Sequence, residues 1–375
     1  LHSLHSFRHK TMKIALVHDF FTQWGGGERV LKTFSEIWPE APIYVIAKDQ
    51  KLVDEFLPGR TVIASFLQNF PGVPKAFKYY LSFMPRAIES FDLSKFDVVL
   101  SDSSAYAKGA ITSGKTKHIC YLHTPTRYLT SDKEEYLADA PIPLPLIGRP
   151  IVKMILRGLT KWDLAASKRP DYLIANSNYI AARTEKYYQR TPDQVIFPPV
   201  DTKQFQISKD IKDYWLVLGR NEPYKRTDIA ILAANQLGLK LKVVGGGTKM
   251  SELKAIAGPT IEFTGRVSDD ELADLYSHAM GLIFPPKEDA GITPLEAMAS
   301  GRPVIAYGEG GALESVVAGV TGEFFAEQTV ESLVAVLKNF DTTKYDPQKI
   351  RAHAMKFDAE EFKEKVKKIV EKISR

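Results

Sequence analysis

The stretch KEDAGITPLEAMASGRPVIAYGEGG (287–311) decides the fold, because it supplies the loop, helix and second strand of a βαβ unit. The run GLIFPP (281–286) before it reads as a first buried strand, and PVIAY (303–307) reads as the second. The intervening helix is predicted to begin at Gly291 and to end at Gly301, a residue type common just past helix ends. Parallel strands joined through helices form α/β sheets. The stretch therefore predicts an α/β protein.

The same alternation fills the rest of the second half. Ser268 and Glu271 form a capping box that predicts a helix start, and an amphipathic helix is predicted from about Glu360 onward. The strands predicted in this half, besides the two above, are WLVLG (215–219), LKLKVVGG (239–246) and IEFTG (261–265).

In the first half, a strand is followed by a glycine loop and a helix predicted to begin near Glu28. The strands predicted there are KIALV (13–17), DVVLS (97–101), HICYL (118–122) and DYLIANS (171–177). A proline pair in FPPVD (197–201) interrupts the alternation. We therefore predict domains over residues 12–201 and 202–354. Residues 1–11 lack the apolar core of a signal peptide, so we interpret them as a leading extension or an expression remnant.

Composition places the chain among globular proteins. Its 375 residues suffice for two domains of about 100 to 200 residues each. Cys120 is the single cysteine, which excludes an intrachain disulfide and favours a reducing compartment. No apolar run approaches the ~20 residues that cross a bilayer. Residues 1–200 carry 26 Lys and Arg against 19 Asp and Glu, whereas residues 201–375 carry 24 against 26. The basic half indicates an anionic partner, compatible with membrane or nucleic acid.

The helix start after the strand at 281–286 is a candidate anion site. Glu288 lies in the loop, and Gly291, Ile292 and Thr293 begin the helix, where backbone N–H groups and the positive helix end can meet a ligand. Glu296 follows within the helix, so carboxylates on both sides could bind sugar hydroxyls. Alone, two such glutamates would more often be solvated residues. The surrounding strand and glycines favour a site.

A second group of candidates is GRNEPYKR (219–226). Arg220 follows a strand end and Lys225 comes five residues later, so both cations can converge on one diphosphate. Fixed cations would stabilise a departing nucleoside diphosphate. The sequence contains no Asp-x-Asp triplet of the kind that holds a metal, so the prediction is a site without metal or cofactor.

The first half contributes two further loops. HDFFTQWGGGERV (18–30) places glycines between a strand and a helix, where the backbone can approach a phosphate or sugar closely, although tight turns also use glycine for steric reasons alone. YLHTPTRY (121–128) places His123 at the carboxyl end of a strand, where open α/β sheets bind ligands. A packing role is the alternative for this histidine.

The glutamate spacing, Glu288 and Glu296 separated by seven residues and followed by AMASGRPVIAYGEGG, resembles the retaining glycosyltransferases of family 4. The resemblance runs from about Met12 to the C-terminus. It implies the GT-B fold, with two facing Rossmann-like domains, parallel sheets, an interdomain cleft and a final helix, about 355–375, that crosses back to the first domain. In that family the first glutamate contacts the donor sugar and the second holds the ribose. Asp289 and Ala290 depart from the family's usual glycine and aromatic residue.

The resemblance also implies roles for the loops. Arg220 and Lys225 would match the family's diphosphate-binding pair. His123 would lie beside the donor sugar. The glycine loop would meet the donor diphosphate and the acceptor, and Arg127 would bind acceptor or donor phosphate. Within the glycine loop, the resemblance implies that Gly26 and Gly27 contact the donor and that Glu28 contacts the acceptor.

HTPTRY looks like the version found in bacterial mannosyltransferases of O-antigen and related glycan assembly. The resemblance implies transfer of mannose from GDP-mannose to a lipid-linked or glycan acceptor in cell-surface polysaccharide assembly. UDP-glucose and UDP-N-acetylglucosamine remain alternative donors. A non-catalytic sugar- or lipid-binding module is the rival class. A nicotinamide dehydrogenase is disfavoured because neither GGGER (25–29) nor GGGTKM (245–250) continues as G-x-G-x-x-G.

Two segments, 66–91 and 146–169, interleave cations with apolar and aromatic side chains. They suit the anionic surface of a membrane, which would place the protein in the cytoplasm with peripheral contact at the inner face of the cell membrane. Core helices with solvated lysines are an equal alternative. Single-stranded nucleic acid is disfavoured because no recognised nucleic-acid motif accompanies these segments.

Overall fold

The computed structural model describes residues 12–75, 77–131, 133–134 and 145–374, so the leading extension over 1–11 lies outside the described residues. The chain divides into two compact units. The first contains the described residues up to Ala175, then Ile180–Val195 and the residues from Lys365 onward. The second contains Asn176–Tyr179 and Ile196–Glu364.

The described residues of the first unit form a seven-stranded parallel sheet with the order β3-β2-β1-β4-β5-β6-β7. The strands are β1 Ile14–Phe21, β2 Ile43–Lys48, β3 Val62–Ala64, β4 Val98–Ser103, β5 Lys117–Leu122, β6 Tyr172–Ala175 and β7 Gln194–Val195. The helices are α1 Gly26–Ile37, α2 Gln50–Phe56, α3 Met84–Glu89, α4 Pro145–Ala166 and α5 Asn178–Tyr188, which belongs to this unit from Ile180 onward. Short 3-10 helices cover Phe66–Asn69, Phe77–Phe83, Ala107–Gly109 and Arg127–Leu129.

The central strands of this sheet are buried on both faces, as parallel sheets covered by helices require. In β1 every residue except Phe20 is buried, and β4 is buried throughout. The chain reverses its direction of growth between β1 and β4, the place where such sheets form a crevice. Across this junction His18 lies opposite Asp102 in the register.

The described residues of the second unit form a six-stranded parallel sheet with the order β10-β9-β8-β11-β12-β13. The strands are β8 Trp215–Leu218, β9 Leu241–Val244, β10 Ile261–Gly265, β11 Gly281–Phe284, β12 Val304–Tyr307 and β13 Gly322–Phe325. The helices are α6 Thr227–Leu237, α7 Met250–Ile256, α8 Asp269–His278, α9 Ile292–Ala299, α10 Ala312–Ser315, α11 Val330–Asn339 and α12 Pro347–Ala354. A final helix, α13 Ala359–Ser374, begins in the second unit and belongs to the first unit from Lys365 onward. Short 3-10 helices cover Pro223–Lys225, Thr342–Lys344 and Met355–Phe357.

Local signals account for the helix boundaries. The predicted capping box is confirmed, because Ser268 accepts from the backbone of Glu271 and the Glu271 carboxylate accepts from the backbone of Ser268. Helix α9 begins after Gly291, whose φ of 75° favours glycine. Helix α1 begins at Gly26, two residues before the predicted start at Glu28. Within the described residues, no helix is both long and apolar enough to cross a membrane.

Candidate functional site

Lys225 and Glu288 contact each other in the second unit. Lys225 ends the 3-10 helix after β8, Glu288 lies in the loop after β11, and the Lys225 ammonium donates to the Glu288 carboxylate. Both side chains are 17% exposed. Since β8 and β11 are neighbours where the strand order reverses, the pair lies at the place where open α/β sheets bind ligands.

The Lys225 ammonium is held in its charged form. Burial alone would lower its pKa, but the charge of Glu288 and the hydrogen bond to that carboxylate outweigh burial and raise the pKa. The charge of Arg220 acts on the same ammonium and lowers its pKa, so the two cations lie near each other. Arg220 is exposed. The arrangement offers fixed positive charge to an anionic ligand.

The backbone of Glu288 is fixed by the glycines of GEGG (308–311). The Glu288 carbonyl accepts from the Gly311 N–H at 2.9 Å, and a Cβ on Gly310 would lie 2.4 Å from the same carbonyl oxygen. A Cβ on Gly311 would lie 2.5 Å from the Cα of Ala290, which is buried. Close backbone packing therefore requires glycine at both positions. The small Ala290, one of the two departures from the family pattern, lies within this packing.

The other departure, Asp289, is tied down through its backbone. The Asp289 carbonyl accepts from the Ser177 hydroxyl at 2.6 Å, within the second unit. The loop that carries Glu288 is thus held by Gly311 on one side and by Ser177 on the other.

Glu296 lies inside α9 and is only 2% exposed. One of its carboxylate oxygens accepts from the Tyr276 hydroxyl at 3.0 Å. At the start of the same helix, Gly291, Ile292 and Thr293 are partly exposed, and Gly291 offers no side chain to cap the helix. The helix start can therefore present backbone N–H groups to an anion. The predicted ribose contact of Glu296 stays a prediction.

In the first unit, His123 belongs to a buried group at the ends of β1, β4 and β5. Its Nε2 lies 2.5 Å from Oδ1 of Asp102, and Oδ2 of Asp102 lies 2.9 Å from Nδ1 of His18. The Nε2 of His18 lies 4.0 Å from Oε1 of Glu28, a predicted acceptor residue that is 5% exposed. Because a carboxylate only accepts, a neutral His123 carries its proton on Nε2, which makes Nδ1 its acceptor nitrogen.

The protonation of this group follows from its charges. Burial alone would lower the pKa of His18, but the close contact with Asp102 and the charges of Asp102 and Glu28 outweigh burial and raise the pKa. Burial alone would raise the pKa of Asp102, but the charges and hydrogen bonds of His123 and His18 lower it. The group therefore holds a proton on His18 and a negative charge on Asp102 at neutral pH.

The glycine loop covers the two histidines. A Cβ on Gly27 would lie 3.7 Å both from Nε2 of His123 and from Cε1 of His18, whereas Gly26 is exposed at the first position of α1. Arg127 begins the 3-10 helix after the HTPT turn and is partly exposed. The structure thus brings Gly27, Glu28 and His123 together.

Sequence reasoning missed three residues of this region. His18 and Asp102 lie on neighbouring strands and contact each other, and Asp102 also contacts His123. Asp19 is 4% exposed and organises the loop after β4. The Asp19 carboxylate accepts from the backbone N–H groups of residues 104, 105, 106 and 107 at 2.6–2.8 Å. The available signal was the pair HD (18–19) at the end of the first predicted strand. Across the described residues, no group of three or more His, Cys, Asp or Glu is arranged to hold a metal ion.

Comparison with known protein families identifies both halves of the chain. The sequence profile described as Glycosyltransferase Family 4 matches residues 24–204, and the one described as Glycosyl transferases group 1 matches residues 200–357. The chain belongs to the family 4-type glycosyltransferases. The family predicted from Glu288 and Glu296 is thereby confirmed.

Two curated relatives of this glycosyltransferase chain act on mannose according to their names. The O-antigen chain mannosyltransferase C of Escherichia coli is 29% identical over 155 residues, which cover 36% of this chain and 41% of the relative. The alpha-1,3/1,6-mannosyltransferase ALG2 of Homo sapiens is 26% identical over 268 residues, 61% of each chain. This chain thus spans less than two thirds of the length of either relative.

The fold is also that of solved glycosyltransferases. HepE of Anabaena, in complex with UDP and glucose, superposes with a TM-score of 0.72 over 96% of this chain and 99% of that protein, at 18% identity. The predicted α/β fold of the GT-B class, with two Rossmann-like domains, is confirmed by the two parallel sheets and this likeness.

Proposed function

We propose that this glycosyltransferase chain is an enzyme that transfers a hexose from a sugar nucleotide to a hydroxyl group of an acceptor. The observation that carries the proposal is the Lys225–Glu288 pair, with Arg220 beside it, where the strand order of the second sheet reverses. The two cations would bind the donor diphosphate, and Glu288 would accept hydrogen bonds from the sugar. Glu296 and the start of α9 would bind the nucleotide.

The proposed reaction retains the configuration of the anomeric carbon. The bond between that carbon and the diphosphate oxygen breaks while the acceptor oxygen bonds to the same carbon. The acceptor's proton passes to the leaving phosphate, and a nucleoside diphosphate is released. The protein contributes position and charge, since Lys225 and Arg220 stabilise the negative charge that develops on the diphosphate. We propose that no metal or other cofactor takes part, so activity should persist in a chelator.

GDP-mannose is the donor that we propose, with a lipid-linked or glycan acceptor of cell-surface polysaccharide assembly. The two mannosyltransferase relatives support mannose. The UDP and glucose in the HepE complex support UDP-glucose as the alternative. UDP-N-acetylglucosamine is the third candidate.

Calorimetric titration against GDP, UDP and NAD tests the class of ligand first. We expect GDP to bind more tightly than UDP, and NAD not to bind. Turnover of GDP-mannose, UDP-glucose and UDP-N-acetylglucosamine is then followed through nucleoside diphosphate release with a glycan-lipid extract as acceptor. Binding of NAD alone, or release of no nucleoside diphosphate from any donor, would contradict the proposal.

We also propose that the first unit contacts the inner face of the cell membrane from the cytoplasm, with no role in nucleic-acid binding. Large side chains are exposed in both basic segments: Tyr79 is 67% exposed, Phe83 41% and Met154 66%. Cations are exposed along the same stretches at Lys75, Arg86, Lys153 and Arg157. The Lys78 side chain and the side chains of 146–149 lie outside the described residues. Apolar anchors beside cations suit an anionic lipid surface.

Vesicle sedimentation tests this contact. Vesicles with anionic lipids should carry the protein down, whereas neutral vesicles and single-stranded nucleic acid should not bind it. Replacement of Tyr79 and Phe83 by serine should release the protein. Equal sedimentation with neutral vesicles would exclude the electrostatic part of the proposal.

A further inference from the structure

A group of buried polar residues in the first unit includes and contacts the segment that carries the candidate site residues His123 and Arg127. Its members are Lys108 in the 3-10 helix after β4, Thr126 in the turn after β5, Asp163 in α4 and Tyr188 at the end of α5. Each is at most 2% exposed. We call these four residues the Thr126 cluster. Thr126 stands between His123 and Arg127 in the sequence.

Every polar atom of Thr126 takes part in a hydrogen bond. Its hydroxyl accepts from the Lys108 ammonium at 3.0 Å and donates to Oδ1 of Asp163 at 2.8 Å. Its backbone N–H donates to the Tyr188 hydroxyl at 3.0 Å, and that hydroxyl donates to Oδ2 of Asp163 at 2.8 Å. Its carbonyl accepts from the Leu129 N–H at 3.0 Å. The turn is therefore fixed through side chain and backbone together.

Lys108 and Asp163 form the charged part of the cluster. Their charged atoms lie 2.6 Å apart, and the ammonium also donates to the Ala105 carbonyl, so all three of its N–H groups have partners. Burial alone would lower the pKa of Lys108, but the charge of Asp163 outweighs it and raises the pKa. Burial raises the pKa of Tyr188 to about 12, so Tyr188 stays neutral and can donate.

A fully buried ion pair is a poor means of stabilising a fold. Moving both charges out of water costs about as much as their attraction returns, and well-packed apolar residues of similar volume often stabilise a protein equally well or better. Beyond stability, the ion pair can fix geometry. Its hydrogen bonds to Thr126 are all satisfied only when Thr126 occupies one position. The cluster also contacts the strand that carries Asp102. The backbone N–H of Lys108 donates to the hydroxyl of Ser103, the residue after Asp102.

We propose that the Thr126 cluster positions the His123–Arg127 segment for catalysis, with Lys108, Thr126 and Asp163 as positioning residues. The proposal rests on the proposed transferase function. The cluster touches no reacting atom. It acts by holding the turn that begins with His123, whose ring is bonded to Asp102 on the other side. A displacement of about 1 Å at such a segment costs about 10²-fold in rate.

Four variants test the proposal. Thr126→Val removes the hydroxyl and keeps the shape, whereas Thr126→Ser keeps the hydroxyl. Lys108→Met with Asp163→Leu replaces the ion pair by an apolar pair. The matched control is Thr116→Val, because Thr116 is a buried threonine of the same unit that donates to the Phe96 carbonyl at 2.8 Å, before β5 begins.

We expect Thr126→Val and the apolar pair to lower kcat by about 10- to 100-fold, and Thr126→Ser and Thr116→Val to stay within about threefold of wild type. The apolar pair should unfold at the same temperature as wild type or higher, which separates positioning from stability. Normal kcat in the apolar pair, or an equal loss of kcat in Thr126→Val and Thr116→Val, would overturn the proposal.

A second readout needs no turnover. The histidine ring NMR signal of His123 should move in Thr126→Val and in the apolar pair, while that of His353 in the second unit stays unchanged. An unmoved His123 signal in both variants would overturn the proposal. If the wild-type protein transfers no sugar, the proposed function fails, and this spectrum still decides whether the cluster positions His123.

Discussion

Lys225→Met provides the sharpest test of the donor site, because the chain supplies its own control. Lys225 pairs with Glu288, and Lys287, the residue before Glu288, pairs with Glu309 in the same unit. The first pair is 17% exposed on both sides, whereas the second is 45% and 46% exposed. Lys287→Met therefore removes the same charge from a neighbouring position that the proposal does not place on the diphosphate.

The expected loss of rate follows from the position of the ammonium. A positive charge about 4 Å from a phosphate oxygen contributes about 4 kcal/mol at an effective dielectric constant of about 20. Removal of a single donor to a developing negative charge costs about 10²- to 10³-fold in other enzymes, which agrees with that figure. We therefore expect kcat/KM of Lys225→Met to fall by about 10²- to 10³-fold, and that of Lys287→Met to change by less than about threefold.

Stability has to be measured alongside activity. Loss of the Lys225–Glu288 pair should lower the free energy of unfolding by about 1 to 3 kcal/mol, between the values for exposed and fully buried pairs, and Lys287→Met by less than about 1 kcal/mol. Urea unfolding, donor titration and nucleoside diphosphate release are measured on both variants. A folded Lys225→Met protein with more than a tenth of wild-type kcat/KM, or an equal loss in Lys287→Met, would refute the assignment of the diphosphate to Lys225.

Further predictions concern the backbone and the buried histidines. Gly310→Ala should lower both the free energy of unfolding and kcat, because the new Cβ meets the Glu288 carbonyl. The control Gly319→Ala, at a φ of 73° with open space around it, should lower the free energy of unfolding by only about 1 kcal/mol and leave kcat unchanged. Equal effects in the two variants would contradict the packing argument. Asp102→Asn should lower kcat/KM and the raised pKa of His18, measured by histidine ring NMR; an unmoved titration would count against the buried ion pair. Burial lowers the pKa of His118 from 6.5 to about 3, so between these two pH values the unfolded state binds a proton that the folded state excludes. The free energy of unfolding therefore falls on acidification over this window, by up to about 1.4 kcal/mol per pH unit. Urea unfolding across the window should show a smaller slope in His118→Gln, and an unchanged slope would exclude this cause.

The sequence predicted nine of the thirteen strands found in the described residues. The predicted strand IEFTG (261–265) agrees with β10, and GLIFPP and PVIAY contain β11 and β12. The sequence analysis did not assign β2, β3, β7 or β13. Strands of three and two residues, as β3 and β7 are, cannot display a period, and their position depends on pairing with a neighbouring strand.

The sequence predicted which loops carry the candidate site, but not all of the residues that hold these loops in place. Spacing pointed to Glu288 and Lys225, which the structure brings into contact across 63 residues of sequence. It did not reveal the Thr126 cluster, because Lys108 and Asp163 look like solvated charges in their local sequence. Only the tertiary fold removes both from water. Buried ion pairs between distant segments leave no local pattern, whereas glycine loops and capping boxes do.

One topological regularity could have found the residues that were missed. Both sheets follow the same order, in which the first strand of the unit lies beside the fourth. Polar residues at the carboxyl ends of those two strands must therefore be neighbours, whatever their separation in sequence. In the second unit this pairs the loop after β8 with the loop after β11, which gives Lys225 and Glu288. Applied to the first unit, the same rule pairs the ends of β1 and β4, and there it predicts the contact between His18 and Asp102.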